Sequence, residues 1–309
     1  DPGMAPAIET RQLPTHYYET IAGDRLDLAV PEGRIWCPLG PYGSGKNTTV
    51  AMLATLRRPT GGTATVCGYD VVTEAPRVRS AVGVTLQHTG VDDLMTGREL
   101  LQLQATLQGL GHQSAARRSA DLVELLDLGS HIDTRLETWS GGLRRRMDLA
   151  AALVHHPRLL FLDEPTTGLD PASRRALWEE IRRLNRDEGV TVFLTTQYLD
   201  EADYLADDVS ILRDGSLLVT ATPDELKDGL GERTMTLEFA DTASAQEARR
   251  IVGGRPDDPV KRPNELRLII DRDGAPSRLA TLTQAGIEVV TLTISVPSLE
   301  DVFLRLTTA

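Results

Sequence analysis

The chain has 309 residues, 40% of them hydrophobic and 25% charged, with a formal net charge of −12. That length and composition suit about two folded domains and argue against disorder. The acidic balance disfavours a nonspecific electrostatic grip on nucleic acid and a polybasic membrane anchor.

From Ile8 to about Val72 the pattern is short strands and glycine turns around one strand-loop-helix unit. Val30-Pro31-Glu32-Gly33 reads as a turn, 34–39 as a strand, 41–45 as a loop and 46–56 as a helix. The alternation Thr63-Ala64-Thr65-Val66-Cys67 then marks a strand. From Asp92 to Thr138 the pattern turns helical. Thr96 and Glu99 have capping-box spacing, and Leu100, Leu103, Leu107 and Leu110 recur at helical spacing, as do Leu122, Leu125, Leu126 and Leu128. Both leucine stripes are expected to be helix core. After Pro157, strands and helices alternate (strands 159–162, 190–194 and 209–212; helices 172–186 and 201–205), which implies a parallel sheet covered by helices. Asp214-Gly215 reads as a hairpin turn. The character changes near residues 227–232. Beyond it, strands are expected at 235–239, 266–271 and 287–293, with helices at 243–252, 277–285 and from the Ser298 cap through Leu306. This module carries no catalytic constellation. The domain division expected is therefore 1–228, with a helical subdomain at about 90–140, and 229–309.

No apolar run is long enough to cross a bilayer, and the acidic, Pro-rich start does not read as a signal peptide. Cys37 and Cys67 are too few for a disulfide framework; both are expected reduced and buried, in a cytosolic protein. His16, His88, His112, His131, His155 and His156 show no metal spacing.

The chemistry concentrates in a few segments. Gly40-Pro41-Tyr42-Gly43-Ser44-Gly45-Lys46-Asn47-Thr48-Thr49 has the form of a P-loop. Its glycines let backbone N–H groups wrap phosphate oxygens, and Lys46 adds a mobile positive charge for the β- and γ-phosphates. The strict pattern has Ser or Thr after the lysine. Asn47 stands there instead, and its amide oxygen is also a hard-cation ligand, though on a longer arm. Pro38 removes a ladder donor from the strand feeding the loop. Further on, Leu159-Leu160-Phe161-Leu162-Asp163-Glu164-Pro165 is an apolar strand ending in two carboxylates, a usual way to hold Mg²⁺ and a water beside a nucleotide. Ser140-Gly141-Gly142 opens the preceding helix, where unpartnered N–H groups make a phosphate cup. Ser140 is equally an ordinary N-cap, and Arg144-Arg145-Arg146 is expected to be a solvated helix face. Tyr17, with Tyr18 beside it, precedes the P-loop strand at a distance suited to stacking on adenine; core packing is the rival role for either ring.

In this order, these segments resemble the ATP-binding cassette (ABC) ATPases. Within them the chain is most similar to the daunorubicin/doxorubicin-resistance type of drug exporter ATPase. The segments that carry the likeness are Met52-Leu53-Ala54-Thr55-Leu56, Ser140-Gly141-Gly142-Leu143-Arg144-Arg145-Arg146, Thr195-Thr196-Gln197-Tyr198-Leu199-Asp200-Glu201-Ala202-Asp203 and Ser298-Leu299-Glu300-Asp301-Val302-Phe303-Leu304. The resemblance implies an α/β fold, a P-loop NTPase ABC cassette with a mixed sheet core, a helical subdomain and an antiparallel β subdomain, followed by a small C-terminal α+β domain. It implies ATP and Mg²⁺ as cofactors, with Asp163, Gln87 and Asn47 or Thr48 as metal ligands. Glu164 would activate water, Gln87 would couple the sheet to the helical subdomain, and Gln197 would stand where most relatives carry His. Ser140, Gly141 and Gly142 would close the site of a partner copy, with Asp170 of Gly168-Leu169-Asp170 beside them. The implied partners are a second copy of the chain and a separate integral membrane permease, on the cytoplasmic face of the cell membrane, with no nucleic acid. The alternative is a nucleotide-gated regulatory subunit with weak or no hydrolysis because of Asn47. A soluble ABC ATPase acting on DNA or ribosomes would need a long coiled-coil insertion or a second cassette, and neither is present.

Overall fold

The computed structural model describes residues 6–14, 25–41, 43–85, 92–213, 215–230, 233–253, 262–271 and 274–308. His16, Tyr17, Tyr18, Tyr42, Gln87, His88 and Asp214 lie outside the described residues. The chain divides into two compact units, Asp1–Thr222 and Pro223–Ala309.

The first unit runs β1 (Ile8–Pro14), β2 (Arg25–Val30), β3 (Ile35–Leu39), α1 (Lys46–Leu53), β4 (Thr63–Val66), β5 (Tyr69–Asp70), α2 (Ala75–Ala81) and β6 (Val82–Thr85). It continues with α3 (Gly97–Leu107), α4 (His112–Leu125), α5 (Gly141–Leu153), β7 (Leu159–Asp163), α6 (Pro171–Glu188), β8 (Thr191–Thr195), α7 (Leu199–Leu205), β9 (Asp208–Arg213) and β10 (Ser216–Ala221). One sheet has the order β10-β9-β3-β8-β7-β6, parallel except for the β9–β10 hairpin; the other, β2-β1-β4-β5, is antiparallel. A shared core joins them. Ile8, Leu26 and Val66 from the antiparallel sheet meet Trp36, Phe161 and Phe193 from the parallel one, with Met52 and Leu53 of α1 between. The Trp36 and Phe193 rings are 4.7 Å apart and those of Phe161 and Phe193 5.4 Å, a spacing at which tilted rings attract.

Pro38 sits in a central strand, where a proline would ordinarily break a ladder. β3 pairs with β8 only through Ile35 and Trp36, while its pairing with β9 runs on through Leu39. The missing N–H falls where the β8 side has already separated, and the chain is released into the loop that follows.

Gly62 and Gly40 are among the glycines required by close approach. A Cβ on Gly62, just before β4, would lie 2.3 Å from the Gln12 carbonyl oxygen, and φ there is +65°. Gly62→Ala is expected to lower stability by about 2–4 kcal/mol, since neither the clash with backbone nor the left-handed φ can relax locally; a urea midpoint measurement checks this. A Cβ on Gly40 would meet Ser44 Oγ at 2.4 Å and the Leu212 carbonyl at 2.8 Å, so this glycine lets the turn after β3 close on itself.

Several expectations need correction. The first helix ends at Leu53 rather than Leu56: the N–H groups of Leu56 and Arg57 both fold back to the Ala51 carbonyl, and Thr55 takes φ +59°. Thr96 and Glu99 do form a capping box at the start of α3, but Leu103 and Leu107 are 43% and 70% exposed. The buried face is Gly97, Leu100, Leu101 and Ala105, so the leucine spacing marks the helix but not the side it buries. Arg145 and Arg146 are not on a solvated face; their side chains are 14% and 21% exposed, and they stand 3.6 Å from Asp148 and 3.7 Å from Asp127. Arg144 pairs with Asp93 at 2.7 Å, tying the start of α5 to the segment before α3.

The second unit contains α8 (Pro223–Gly229), β11 (Arg233–Glu238), α9 (Thr242–Val252), β12 (Glu265–Ile270), α10 (Gly274–Gln284), β13 (Thr291–Ser295) and α11 (Leu299–Thr308). Its start precedes the expected 229 because α8 packs against α11. The antiparallel sheet β12-β11-β13 is covered by α9 and α10 over Met235, Leu237, Leu266 and Leu268. β13 begins at Thr291, not Ile287, because Gly286 (φ +75°) and the Ile287 N–H bond to Leu282 still belong to the end of α10. Ser298 caps α11, its Oγ accepting from the Asp301 N–H while the Asp301 carboxylate accepts from the Ser298 N–H.

Candidate active site

The parallel order β3-β8-β7 places three chain reversals side by side at the C-terminal ends of the strands, the usual location of ligands in open α/β sheets. β3 runs into the loop that opens α1, β8 ends at Thr195, and β7 ends at Asp163, which is in register with Thr195.

The loop after β3 is built around backbone. Gly43 and Gly45 take φ +87° and +90°, and Gly45 caps α1 with no side-chain hydrogen bond and no acidic residue in the first turn. The first N–H groups of α1 therefore carry the helix's positive end without a local carboxylate to offset it. Ser44 is buried, its N–H bonding the Pro41 carbonyl at 3.1 Å. Lys46 is half-buried, and its Nζ donates to the Gly40 carbonyl at 2.5 Å, the Pro41 carbonyl at 3.1 Å and Ser44 Oγ at 3.3 Å. Partial burial holds the Lys46 ammonium below its ordinary pKa, against the opposing pull of Cys37 and Glu164. Asn47 is exposed and Thr48 half-buried, while Thr49 is buried and donates to the Gly45 carbonyl at 3.0 Å. Both cysteines are free and buried; burial pushes the Cys37 thiol up and Cys67 to about 11, which disfavours the reactive thiolate of each.

At the end of β7 the carboxylates diverge. Asp163 Oδ1 accepts from Thr195 Oγ1 at 2.5 Å. Glu164 has φ +49°, a left-handed backbone that a non-glycine residue adopts only at a cost. Its Oε1 accepts from Gln197 Nε2 at 2.6 Å and its Oε2 from Thr167 Oγ1 at 3.2 Å. Gln197, the first exposed residue after β8, is thus held across the strand gap by Glu164. The sequence assigns no role to Thr167 or Thr195; its signal for them is that Thr167 follows Glu164 by three residues and Thr195 opens the segment that carries Gln197.

Ser140 caps α5, with Oγ accepting from the Leu143 N–H at 3.3 Å, and is exposed. Its turn lies against the segment that follows Glu164. A Cβ on Gly142 would meet Ser173 Oγ at 3.0 Å, and one on Gly141 would meet Leu169 at 3.5 Å. Asp170 caps α6, accepting from the Ala172 and Ser173 N–H groups at 3.0 Å and from Ser173 Oγ at 2.5 Å. The Ser173 bonds hold its carboxyl below the ordinary range. The structure thus brings together Lys46, Asp163, Glu164 and Gln197, and separately groups Ser140, Gly141 and Gly142 with Leu169 and Ser173.

Among the described residues, no group of three or more His, Cys, Asp or Glu could hold a metal ion. Mg²⁺ ordinarily takes one or two carboxylates plus substrate phosphates rather than an all-protein cage, so oxygen donors at Asp163 and Asn47 suit it. A cleft of about 260 Å³ lies at the opposite ends of β7 and β8, but its cations are already engaged, Arg158 by Glu32 and the Cys67 carbonyl and Arg118 by the Leu153 carbonyl. No described helix is long and apolar enough to cross a membrane.

A family model described as "ABC transporter" matches residues 24–167, and one described as "ATP-binding protein DrrA1-3-like, C-terminal domain" matches 222–307. The chain is 45% identical to the daunorubicin/doxorubicin resistance ATP-binding protein DrrA of Streptomyces peucetius, over 97% of this chain and 92% of that protein. It is 33% identical to the linearmycin resistance ATP-binding protein LnrL of Bacillus subtilis, over 91% and 92%. Among solved structures, an ATP-binding subunit of an ABC transporter superposes with a TM-score of 0.64 at 24% identity, over 73% of this chain and 93% of that one. A dimeric post-hydrolysis state of the ATP-binding cassette MJ0796 with ADP and Pi gives 0.61 at 22% identity, over 70% and 98%. These two likenesses give the fold: a P-loop ABC cassette.

Proposed function

We propose, on the premise that this chain belongs to the ABC transporter family of ATP-binding proteins, that it is the ATP-hydrolysing subunit of an exporter of hydrophobic drugs or antibiotics. The ATPase reading is carried by one juxtaposition. The Lys46 loop, the Asp163-Glu164 pair and Gln197 end three adjacent parallel strands, with Gln197 Nε2 2.6 Å from Glu164 Oε1. The drug class follows from the relatives named for daunorubicin, doxorubicin and linearmycin resistance.

Two copies of the chain bind two ATP molecules between them, head to tail. Tyr17 stacks on the adenine. The loop Gly40-Pro41-Tyr42-Gly43-Ser44-Gly45 wraps the phosphates with its backbone N–H groups, Pro41 having none and Ser44's closing the turn onto the Pro41 carbonyl, joined by the N–H groups of Asn47 and Thr48 in the first turn of α1, which the Thr49 N–H ties to the Gly45 carbonyl. Lys46 exchanges its loop carbonyls for β- and γ-phosphate oxygens. Glu164 orients the attacking water and takes its proton. Gln197 donates to the γ-phosphate; its amide cannot take a proton at neutral pH, so the base is Glu164. Ser140, Gly141 and Gly142 of the partner cap the triphosphate, with Asp170 beside them. Asp163, Gln87 and Asn47 would hold Mg²⁺, which would neutralise charge on the phosphate oxygens. The rest of the catalysis is positioning and electrostatic stabilisation by these groups. The subunit sits on the cytoplasmic face of the membrane against a separate integral membrane permease.

The test is ATP hydrolysis by the purified chain as a function of Mg²⁺, with co-purification of a membrane protein to establish transport. A chain that binds no adenine nucleotide by calorimetry overturns the reading. Asn47→Ser is expected to raise turnover about 3–10-fold at limiting Mg²⁺ and little at saturation, because a short hydroxyl meets an octahedral ion with less strain than a longer amide. An unchanged Mg²⁺ titration would remove Asn47 from the ligand set.

A further inference from the structure

Glu201 is the most deeply buried carboxylate among the described residues, with none of its surface exposed, although it sits in the first turn of a short helix in a run of acidic residues. Its Oε1 accepts from Thr166 Oγ1 at 2.8 Å and from Trp178 Nε1 at 2.7 Å. Both donors are themselves buried, and they belong to different elements. Thr166 follows the Asp163-Glu164-Pro165 reversal, and Trp178 lies mid-way along α6. Burial pushes the Glu201 carboxyl up from its ordinary pKa, opposed by the polar surroundings of Thr196, by the bonds from Thr166 and Trp178 and by the charge of Arg174, while Oε2 is buried without a hydrogen-bond partner. Burying such a group costs several kcal/mol before its bonds are counted, and an apolar residue of similar volume would often be at least as stabilising. Packing therefore does not explain its presence.

The bonds form a closed circuit. Glu201 holds Thr166. The next residue, Thr167, donates to Glu164 Oε2 at 3.2 Å. Glu164 Oε1 accepts from Gln197 at 2.6 Å. The chain then runs from Gln197 through Tyr198, whose carbonyl accepts from the Glu201 N–H at 3.1 Å. One buried carboxyl thus anchors both the segment that holds the Glu164 side chain and the helix that presents Gln197.

Resting on the ATPase reading above, we infer that Glu201 is a positioning residue for hydrolysis: it fixes Thr166 and the start of α7, and through them the Glu164–Gln197 pair, without touching nucleotide. Removing it leaves the phosphate loop intact and loosens the two groups that address the water.

The experiment compares full-length wild type, Glu201→Ala, Glu201→Gln and Thr166→Val, with turnover normalised to nucleotide-binding sites counted by calorimetry. Glu201→Ala is expected to lose about 10–100-fold in kcat per binding site with ATP affinity within about twofold, since misplacing a water-activating pair affects the transition state and not ground-state binding. Glu201→Gln keeps an oxygen for Thr166 and Trp178 and should stay within about threefold of wild type. A purely structural role would lower the count of binding sites and the Tm and leave kcat per site unchanged; that outcome overturns the proposal, as does a glutamine variant as impaired as alanine. Should Glu201→Ala fail to fold, Thr166→Val carries the test alone: kcat per site falls about tenfold with affinity held, or the proposal is wrong. Wild type and Glu164→Gln run in parallel. If wild type neither binds nor hydrolyses ATP, the ATPase reading falls and this one with it; if wild type turns over and Glu201→Ala matches it, only the positioning role falls.

Discussion

Glu164→Gln is expected to bind ATP with unchanged affinity and to lose about 10²–10⁴-fold in turnover, the usual worth of a positioned general base. The substitution is close to isosteric and keeps the left-handed backbone (φ +49°) no worse occupied than before. Its amide oxygen can still accept from Gln197, and Thr167 can rotate its hydroxyl to accept from the new NH₂, so the contacts at 2.6 and 3.2 Å survive in altered polarity. What is lost is the ability to take a proton. Nucleotide should therefore accumulate unhydrolysed, and a chain that pairs around ATP should run as a dimer on a sizing column when ATP is present and as a monomer without it. Alanine would be the poorer choice, because it also releases Gln197 and Thr167. Rapid hydrolysis by Glu164→Gln would remove Glu164 from its role and leave Gln197, which cannot substitute as a base.

Much of the cassette is legible because its chemistry is local in sequence. A glycine loop between a strand and a helix, or two carboxylates at the end of an apolar run, declare their backbone setting by spacing alone, and β3, α1 and β7 form around those segments. The capping box at Thr96 and Glu99 and the Ser298–Asp301 cap are legible for the same reason. What spacing does not encode is what lies opposite. Leu103 and Leu107 have helical period, yet no described element covers them enough to bury them. Arg145 reads as solvated but is drawn in by Asp148, one turn along α5. Glu201 has the sequence context of an exposed helix start, and only the fold brings Thr166 and Trp178 onto it. The Glu164–Gln197 bond depends on β7 and β8 being neighbours, which a sequence separation of 33 does not declare.

Lys46→Met is expected to weaken ATP binding about 10–100-fold, the loss of one charge-assisted contact to phosphate worth roughly 1.5–3 kcal/mol. The methionine keeps most of the aliphatic volume, so the loop stays packed over buried Ser44. The lysine is suited to the exchange that binding requires. Its three acceptors are two carbonyls and a hydroxyl, none of them charged, and partial burial already disfavours its ammonium. A triphosphate therefore replaces neutral partners with anionic ones, and the gain is electrostatic rather than a break-even swap of salt bridges. The same variant tests the arrangement of two copies. Ser140 is exposed and caps α5, next to Gly141 and Gly142, which face Leu169 and Ser173, and is not in the bonded group around Lys46, so Ser140→Arg should leave the chain's own phosphate loop intact while blocking the cap it offers a partner. Each variant alone should be nearly inactive, with both sites of its own dimer defective. Mixed in equal amounts they should regain activity. In a head-to-tail pair one site collects both defects and the other has Lys46 from one chain and Ser140 from its partner, so recovery approaches about a quarter of wild type if half the dimers are mixed and the sites act independently. A mixture no more active than its components, under conditions where wild type dimerises with ATP, would mean that Ser140 does not act across the junction.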